Sequence, residues 1–255
     1  MPEPECDFNE AVWSPSPNHG ERADGRAPDM LLLHYTGMAS GTDALSRLRS
    51  SESDVSAHYV VFEDGTIHQL VAETRRAWHA GKSLWAGEHD INSCSIGIEI
   101  VNPGHDGGLP PFADAQIAAV VALCRDCRKR WSVPGERVLA HSDVAPSRKC
   151  DPGERFPWSV LAENGVGHWV EPSAMRSGRY FQAGESGQPI EALQSMLSLY
   201  GYGVEPDGHF GARTEAVVTA FQRHFRPERV DGVADAGTID TLHRLLSTLP
   251  RFATR

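Results

Sequence analysis

The sequence lacks the features that mark membrane-spanning, nucleic-acid-binding or disulfide-stabilised proteins. No apolar run approaches the roughly 18 to 20 residues that cross a bilayer. The chain has 24 Lys and Arg against 34 Asp and Glu, a formal net charge of -10, so a nucleic-acid partner is not indicated. Its five cysteines are an odd, scattered set, which argues against a disulfide framework.

The N-terminus also lacks the basic start and apolar stretch of a secretory signal. This predicts a cytoplasmic protein, or a periplasmic or wall-associated one if the N-terminus was trimmed or export is unconventional. With 40% hydrophobic and 23% charged residues in 255, the composition is globular, and the length suggests one or two domains.

The first part of the chain alternates strand-like and helix-like patterns. Residues 113–131 have apolar residues at helical spacing and basic residues in the last turns, as a helix C-terminus favours. Apolar or alternating runs predict strands at residues 31–35, 58–62, 66–71, 95–101 and 138–141. We therefore expect an α/β domain with a central mixed β-sheet flanked by helices.

The last part of the chain predicts a small three-helix domain, with helices at 190–200, 214–225 and 238–246. Asp207-Gly208 and Asp231-Gly232 form a weak repeat, each followed at the same offset by a threonine (Thr214 and Thr238) that could cap a helix. The predicted division is an N-terminal extension (1–27), a first domain (28–161), a linker (162–186) and the three-helix domain (187–250). We expect a cut near Gly184 to leave the first domain folded.

Three polar residues interrupt apolar strands. His34 follows three leucines, Glu99 lies in an isoleucine-rich alternation, and His141 ends a short apolar run. A buried carboxylate or imidazole without partners costs several kcal/mol, so each needs a partner or a function. A single such residue is more often a hydrogen-bonded structural one. Three together favour a functional site.

The segment after His141 strengthens this interpretation. Pro146 and Pro152 stop a helix, so His141 and Asp151 lie at the ends of a loop that could fold back on itself. With His34 they provide two imidazoles and one carboxylate, a set that suits a catalytic Zn²⁺ with its fourth position open to water.

Two further residues would complete a metal-assisted amide hydrolase. Glu99 would be the general base, taking a proton from water and passing it to the leaving nitrogen. Lys149, two residues before Asp151, would direct a positive charge at the oxyanion of the tetrahedral intermediate.

Residues 28–158 resemble the zinc-dependent N-acetylmuramoyl-L-alanine amidase family, the type related to anhydro-muropeptide amidases, phage endolysin amidases and peptidoglycan recognition proteins. The motifs that carry the resemblance are 32–36, 56–61, 64–67, 77–81, 95–102 and 141–153. It implies hydrolysis of the amide bond between the lactyl group of N-acetylmuramic or anhydro-muramic acid and L-alanine. The family's zinc ligands correspond to His34, His141 and Asp151, and its catalytic Glu and Lys to Glu99 and Lys149. A recognition module without activity and an amidase for another glycopeptide are the alternatives.

Other motifs are consistent with the same family. The family places Trp78 and His79 near the cleft, where they would contact substrate or pack, and Asn102 is expected to hydrogen-bond a substrate amide. Cys124 and Cys127 form a C-x-x-C inside a predicted helix and are better explained as buried core residues. Residues 187–250 resemble a peptidoglycan-binding domain, although 233–237 depart from its pattern, so peptidoglycan or muropeptide fragments are the expected partners.

Overall fold

The computed structural model describes residues 6–174, 178, 180–250 and 252. The strands in chain order are β1 (Val12–Trp13), β2 (His19–Gly20), β3 (Met30–Tyr35), β4 (Tyr59–Val61), β5 (Ile67–Gln69), β6 (Arg76–Ala77), β7 (Ser95–Ile100) and β8 (Val138–Ala140). The helices are α1 (Gly41–Leu48), α2 (Ile91–Cys94), α3 (Asp114–Trp131), α4 (His141–Val144), α5 (Trp158–Glu163), α6 (Gln188–Tyr200), α7 (Ala212–Phe225) and α8 (Ala236–Thr248). None of the described helices is long and apolar enough to cross a membrane.

In the described chain, six strands form one mixed sheet in the order β1-β5-β4-β7-β3-β8, and β2 pairs with β6. Only the β4–β5 hairpin is antiparallel within the larger sheet. Helix α3 packs on one face, where Ile96, Ile98 and Ile100 point into the core. The predicted fold class, a mixed sheet flanked by helices, is confirmed.

Strand β3 lies between β7 and the edge strand β8 and is covered on both faces. Leu31, Leu32 and Leu33 are fully buried, which explains a continuous apolar run where a half-exposed strand would alternate. The parallel register of β3 with β7 pairs Met30 with Ser95 at one end and His34 with Glu99 at the other. The two polar residues therefore share one edge of the sheet.

The predicted N-terminal extension is part of the first domain over its described residues. β1 pairs with β5, and the buried Arg22 reaches across the sheet. Its guanidinium donates to the backbone carbonyls of Glu73, at 2.8 and 3.1 Å, and of Ser95, at 3.0 Å. Arg22 thus satisfies carbonyl groups that would otherwise be buried without a donor.

The C-terminal repeat is a pair of glutamine-centred turns. Gln194 Nε2 donates to Thr214 Oγ1 at 2.9 Å while its Oε1 accepts from Gly208 N at 2.8 Å. Gln222 makes the same bond to Gly232 N, at 2.8 Å. The prediction that the threonines cap the helices is wrong, because the N-cap positions are Gly211 and Asp235, and each threonine lies in the first turn.

The two predicted domains pack against each other through one shared core, and independent folding of the first domain stays a prediction. Trp85 is 2% exposed, and its ring lies edge-on at 4.9 Å from that of Tyr202. Ala86 N donates to Gly201 O at 2.8 Å. Gly201 has a φ of +143°, and a Cβ there would lie 2.5 Å from the Trp85 ring, so only glycine allows this approach. Of the predicted linker, residues 175–177 and 179 lie outside the described residues.

We expect the chain to unfold in one transition, with Trp85→Ala lowering the free energy of unfolding by about 3–5 kcal/mol because it leaves a cavity in the shared core. Urea denaturation followed by fluorescence and by far-UV circular dichroism measures both quantities. Val160→Ala, at a 38% exposed position, is the surface control. Two separate transitions in the wild-type protein would contradict the shared core.

Candidate metal centre and catalytic cleft

Adjacent parallel strands bring the predicted site residues to one edge of the sheet. His34 and Glu99 are direct neighbours on β3 and β7. On the other side, Leu33 pairs with Ala140 of β8, so His141, the next residue, lies beside His34 at the start of α4. Residues far apart in sequence therefore meet because the carboxyl ends of parallel strands lie together.

His34, His141 and Asp151 form a buried group that could hold a metal ion. His34 Nδ1 and His141 Nδ1 are 2.9 Å apart, and each lies 3.0 Å from Asp151 Oδ2. The predicted loop folds back as expected, since Ser142 N donates to Asp151 O at 3.0 Å. The three predicted ligands therefore direct their atoms to a single point.

The protonation states also suit a cation. Burial, together with the neighbouring His141, lowers the pKa of His34 to about 4, so the imidazole is neutral at pH 7. Burial alone would raise the pKa of Asp151, but His141 and His34 outweigh it and hold that pKa below its usual value. Neutral imidazoles and an ionised carboxylate are the forms that bind metal.

Hydrogen bonds on the far side of His141 leave its Nδ1 free to act as a ligand. Its Nε2 lies 3.0 Å from Ala80 O, and a carbonyl can only accept, so Nε2 carries the proton. Nδ1 then keeps its lone pair and directs it toward Asp151.

A chain of hydrogen bonds through Ser95 and His79 likewise leaves Nδ1 of His34 unprotonated. Ser95 Oγ donates to Ile91 O at 2.5 Å, so at 3.3 Å it accepts from Nε2 of His79. The unprotonated Nδ1 of His79 then accepts, at 3.1 Å, from Nε2 of His34. His34 Nδ1 is left with a lone pair, and a hydrogen bond to the other ring nitrogen of this kind orients a histidine toward a metal ion. The residues present therefore fit a divalent cation such as Zn²⁺.

Gly97 explains why His79 can reach this position. A Cβ at Gly97 would lie 2.4 Å from Cγ of His79, so the imidazole occupies the space that a side chain would fill. The sequence predicts either a substrate contact or a packing role for His79. The structure places it in the same cavity as the metal group and in direct contact with His34.

Glu99 is the carboxylate with unused hydrogen-bonding capacity at the site. Its Oε2 is buried and has no hydrogen-bond partner among the described residues. Burial, reinforced by the charge of Asp151, raises its pKa well above the usual value, while Lys149 opposes the shift. The group is thus available to a water molecule or a substrate amide in the cleft.

The cleft has a volume of about 410 Å³ and contains all five residues predicted for metal and chemistry. Trp78 and His79 line it as expected, and α1 adds Arg47, which the sequence did not suggest because α1 carries no recognisable motif. The other lining residues are Tyr35, Thr36, Gly37, Met38, Ala44, Leu48, Val55 and Ser56.

Asn102 has a different role from the predicted substrate contact. Its Nδ2 donates to Pro110 O at 3.0 Å, and its Oδ1 accepts from Gly104 N at 2.9 Å. With both side-chain atoms engaged and only 3% of its surface exposed, it closes the loop after β7. The C-x-x-C is as expected, since Cys124 and Cys127 are both fully buried in α3.

The comparisons with known proteins agree with this geometry. Residues 24–154 match the family described as N-acetylmuramoyl-L-alanine amidase, and residues 186–242 match a putative peptidoglycan binding domain. The chain is 40% identical to the N-acetylmuramoyl-L-alanine amidase AmiD of Escherichia coli, over 82% of this chain and 79% of that protein. It is 33% identical to the 1,6-anhydro-N-acetylmuramyl-L-alanine amidase AmpD of Enterobacter cloacae, over 57% of this chain and 84% of that protein.

Solved structures show the same relationship. The complex of E. coli AmiD with anhydro-N-acetylmuramic acid-L-Ala-D-gamma-Glu-L-Lys has a TM-score of 0.73 at 38% identity, covering 89% of this chain and 92% of that one. AmpDh3 of Pseudomonas aeruginosa in complex with an anhydromuramic pentapeptide has a TM-score of 0.70 at 30% identity, covering 87% of this chain and 92% of that one.

Fold and site together define a hydrolase of the amidase class. The chain belongs to the N-acetylmuramoyl-L-alanine amidase family, enzymes that hydrolyse the amide bond between the lactyl group of N-acetylmuramic acid and L-alanine. The predicted family, enzyme class and reaction are thereby confirmed.

The raised pKa of Glu99 predicts a pH-dependent stability. Glu99 has a pKa near 4.3 in the unfolded chain and a higher pKa in the folded protein. At pH values between these two, the folded protein holds a proton that the unfolded chain has released. The free energy of unfolding therefore falls as pH rises, by up to about 1.4 kcal/mol per pH unit. Chelator-treated Glu99→Gln should therefore be more stable than wild type at pH 8 and equal to it near pH 4. Thermal denaturation across this range tests the difference, with exposed Glu63→Gln as the control. A stability difference between Glu99→Gln and wild type that does not change with pH would contradict the raised pKa of Glu99.

Proposed function

We propose that His34, His141 and Asp151 bind Zn²⁺ and that Glu99 and Lys149 carry out the amide hydrolysis beside it. The observation that carries this proposal is the convergence of three ligand atoms, 2.9 to 3.0 Å apart, in the same cleft as a buried carboxylate oxygen without a partner. Bound zinc would lower the pKa of a coordinated water and polarise the scissile carbonyl.

The chain's own residues supply the remaining chemistry. Glu99 accepts a proton from the attacking water at its free Oε2 and returns it to the departing nitrogen of L-alanine. Lys149, which lines the same cleft, places its positive charge near the oxygen on which negative charge develops. His79 holds His34 in the tautomer that leaves Nδ1 available to the metal.

The proposed substrates are anhydro-muramyl peptides and related soluble fragments of peptidoglycan. Two relatives of similar structure are known in complexes with such compounds, and the cleft, at about 410 Å³, suits a sugar lactyl group with the first residues of a peptide. We also propose that residues 187–250 bind the polymer. The cytoplasmic location stays a prediction.

The metal and base roles predict different losses in two variants. Glu99→Ala should keep its zinc and lose turnover by about 10²–10⁴-fold, the usual contribution of a general base. His34→Ala should lose zinc as well, because one ligand is gone. Elemental analysis of the purified proteins and turnover of an anhydro-muropeptide measure both effects, with exposed His243→Ala as the histidine control. Turnover near the wild-type level in Glu99→Ala would refute the base assignment.

Product analysis distinguishes the possible substrates. We expect mass spectrometry to detect free stem peptide from anhydro-muropeptide, and its loss after chelator treatment. Intact sacculi and a nucleotide-linked precursor, assayed in parallel, report on substrate size. Cleavage of sacculi alone, or activity that survives the chelator, would contradict the proposal.

A further inference from the structure

Asp143 is a fully buried carboxylate next to the metal centre that takes no part in the proposed chemistry. Its Oδ2 accepts from Ala140 N at 2.8 Å and from Nδ1 of His224 at 2.7 Å. Its Oδ1 accepts from the hydroxyl of Tyr202 at 2.6 Å. Both side-chain donors come from the C-terminal helical part of the chain.

The two donors are themselves held firmly. His224 projects from α7, is 2% exposed, and stacks on the Trp158 ring with a centroid distance of 3.7 Å. Tyr202 is 1% exposed and packs against Trp85. Neither group can move away without opening the shared core, so the position of Asp143 is set from the C-terminal side.

Asp143 lies in α4, whose first residue is the metal ligand His141. A helix of four residues has almost no intrinsic stability, so its position depends on contacts to its surroundings. The adjacent Ser142 N donates to Asp151 O at 3.0 Å, which links the second ligand to the same segment. A displacement of Asp143 would therefore be transmitted to both ligands.

We propose that Tyr202 and His224 are positioning residues of the metal centre: through Asp143 they hold α4 so that His141 and Asp151 meet His34 at ligand distance. The C-terminal helices then act on the reaction itself, apart from any binding of polymer. A second contact joins the C-terminal helices to the loop between His141 and Asp151, since Arg213 Nη1 donates to Ser147 Oγ at 3.1 Å. This inference rests on the proposed metal site.

Two matched variants in the full chain test the Tyr202 contact. Tyr202→Phe removes the hydroxyl that donates to Asp143, while Tyr200→Phe removes the hydroxyl of another buried tyrosine, which bonds His168 Nδ1 at 2.9 Å. We expect zinc affinity, measured by competition with a chromogenic chelator, to fall about tenfold in Tyr202→Phe. This is the low end of the range for groups that bond a metal ligand directly, because the hydroxyl acts through Asp143. Tyr200→Phe should retain the wild-type affinity. The visible spectrum of the cobalt-substituted protein should change only in Tyr202→Phe.

A soluble anhydro-muropeptide separates positioning from polymer binding, because it is too small to need a polymer site. Tyr202→Phe should lower kcat on this substrate and leave KM nearly unchanged. If Tyr202→Phe unfolds, two variants of His224 test the same contact. His224→Leu should lose zinc affinity because it removes the donor to Asp143. His224→Asn keeps an N–H donor near the position of Nδ1 and should restore that affinity.

The outcomes are distinct. Equal zinc affinity and kcat in wild type, Tyr202→Phe and His224→Leu would overturn the positioning role while leaving the metal site intact. A wild-type protein that binds no zinc would overturn the metal site and this inference with it. Equal losses in Tyr200→Phe and Tyr202→Phe would show general destabilisation and also overturn the specific role.

Discussion

The active site depends on the parallel register of β3 between β7 and β8. That register places His34 opposite Glu99 and brings His141 alongside at the next position. Because side chains alternate between the faces of a strand, a slip of one residue would send His34 to the opposite face from Glu99. A run of three leucines buried on both faces would tolerate such a shift, because leucine would replace leucine. The shift would instead disrupt the polar end of the strand, where His34 would leave the group that it forms with His141 and Asp151. The register of β3 and the assembly of the site are therefore one constraint.

The site contains polar groups with hydrogen-bond partners and one buried polar atom without a partner among the described residues. His141 has its Nε2 engaged by Ala80 O, and His34 has its Nε2 engaged by His79, so each ring is oriented and its tautomer is set. Glu99 Oε2 has no such partner in the described part of the chain and is buried nonetheless. A buried carboxylate without a partner destabilises the fold. Its presence in an otherwise well-bonded sheet is explained by what enters the cleft during the reaction.

Much of this could be predicted from the sequence, for physical reasons that also explain the failures. His34 and His141 were recognisable because an imidazole at the end of an apolar strand requires a partner. The relay through His79 was not, since it depends on the missing side chain of Gly97 on a different strand. The role of Asn102 cannot be read from the sequence, which does not show that its amide closes a loop back to Pro110. The repeat is visible in the sequence, but the role of its threonines is not, because the organising glutamines, Gln194 and Gln222, lie in the preceding helices.

The packing between the two predicted domains is where the structure adds most to the sequence. Several glycines and serines with little periodicity predict a linker, and composition carries no information about what the flanking segments bury against each other. In the structure, Trp85 of the first part and Tyr202 of the second lie in one core, and Asp143 accepts hydrogen bonds from both parts. An interface that only tethered the enzyme to a polymer would not need a buried carboxylate two residues from His141, a proposed metal ligand. Burial of Asp143 costs free energy unless its partners are in place, so the docking of the C-terminal helices and the geometry of the metal loop are energetically coupled.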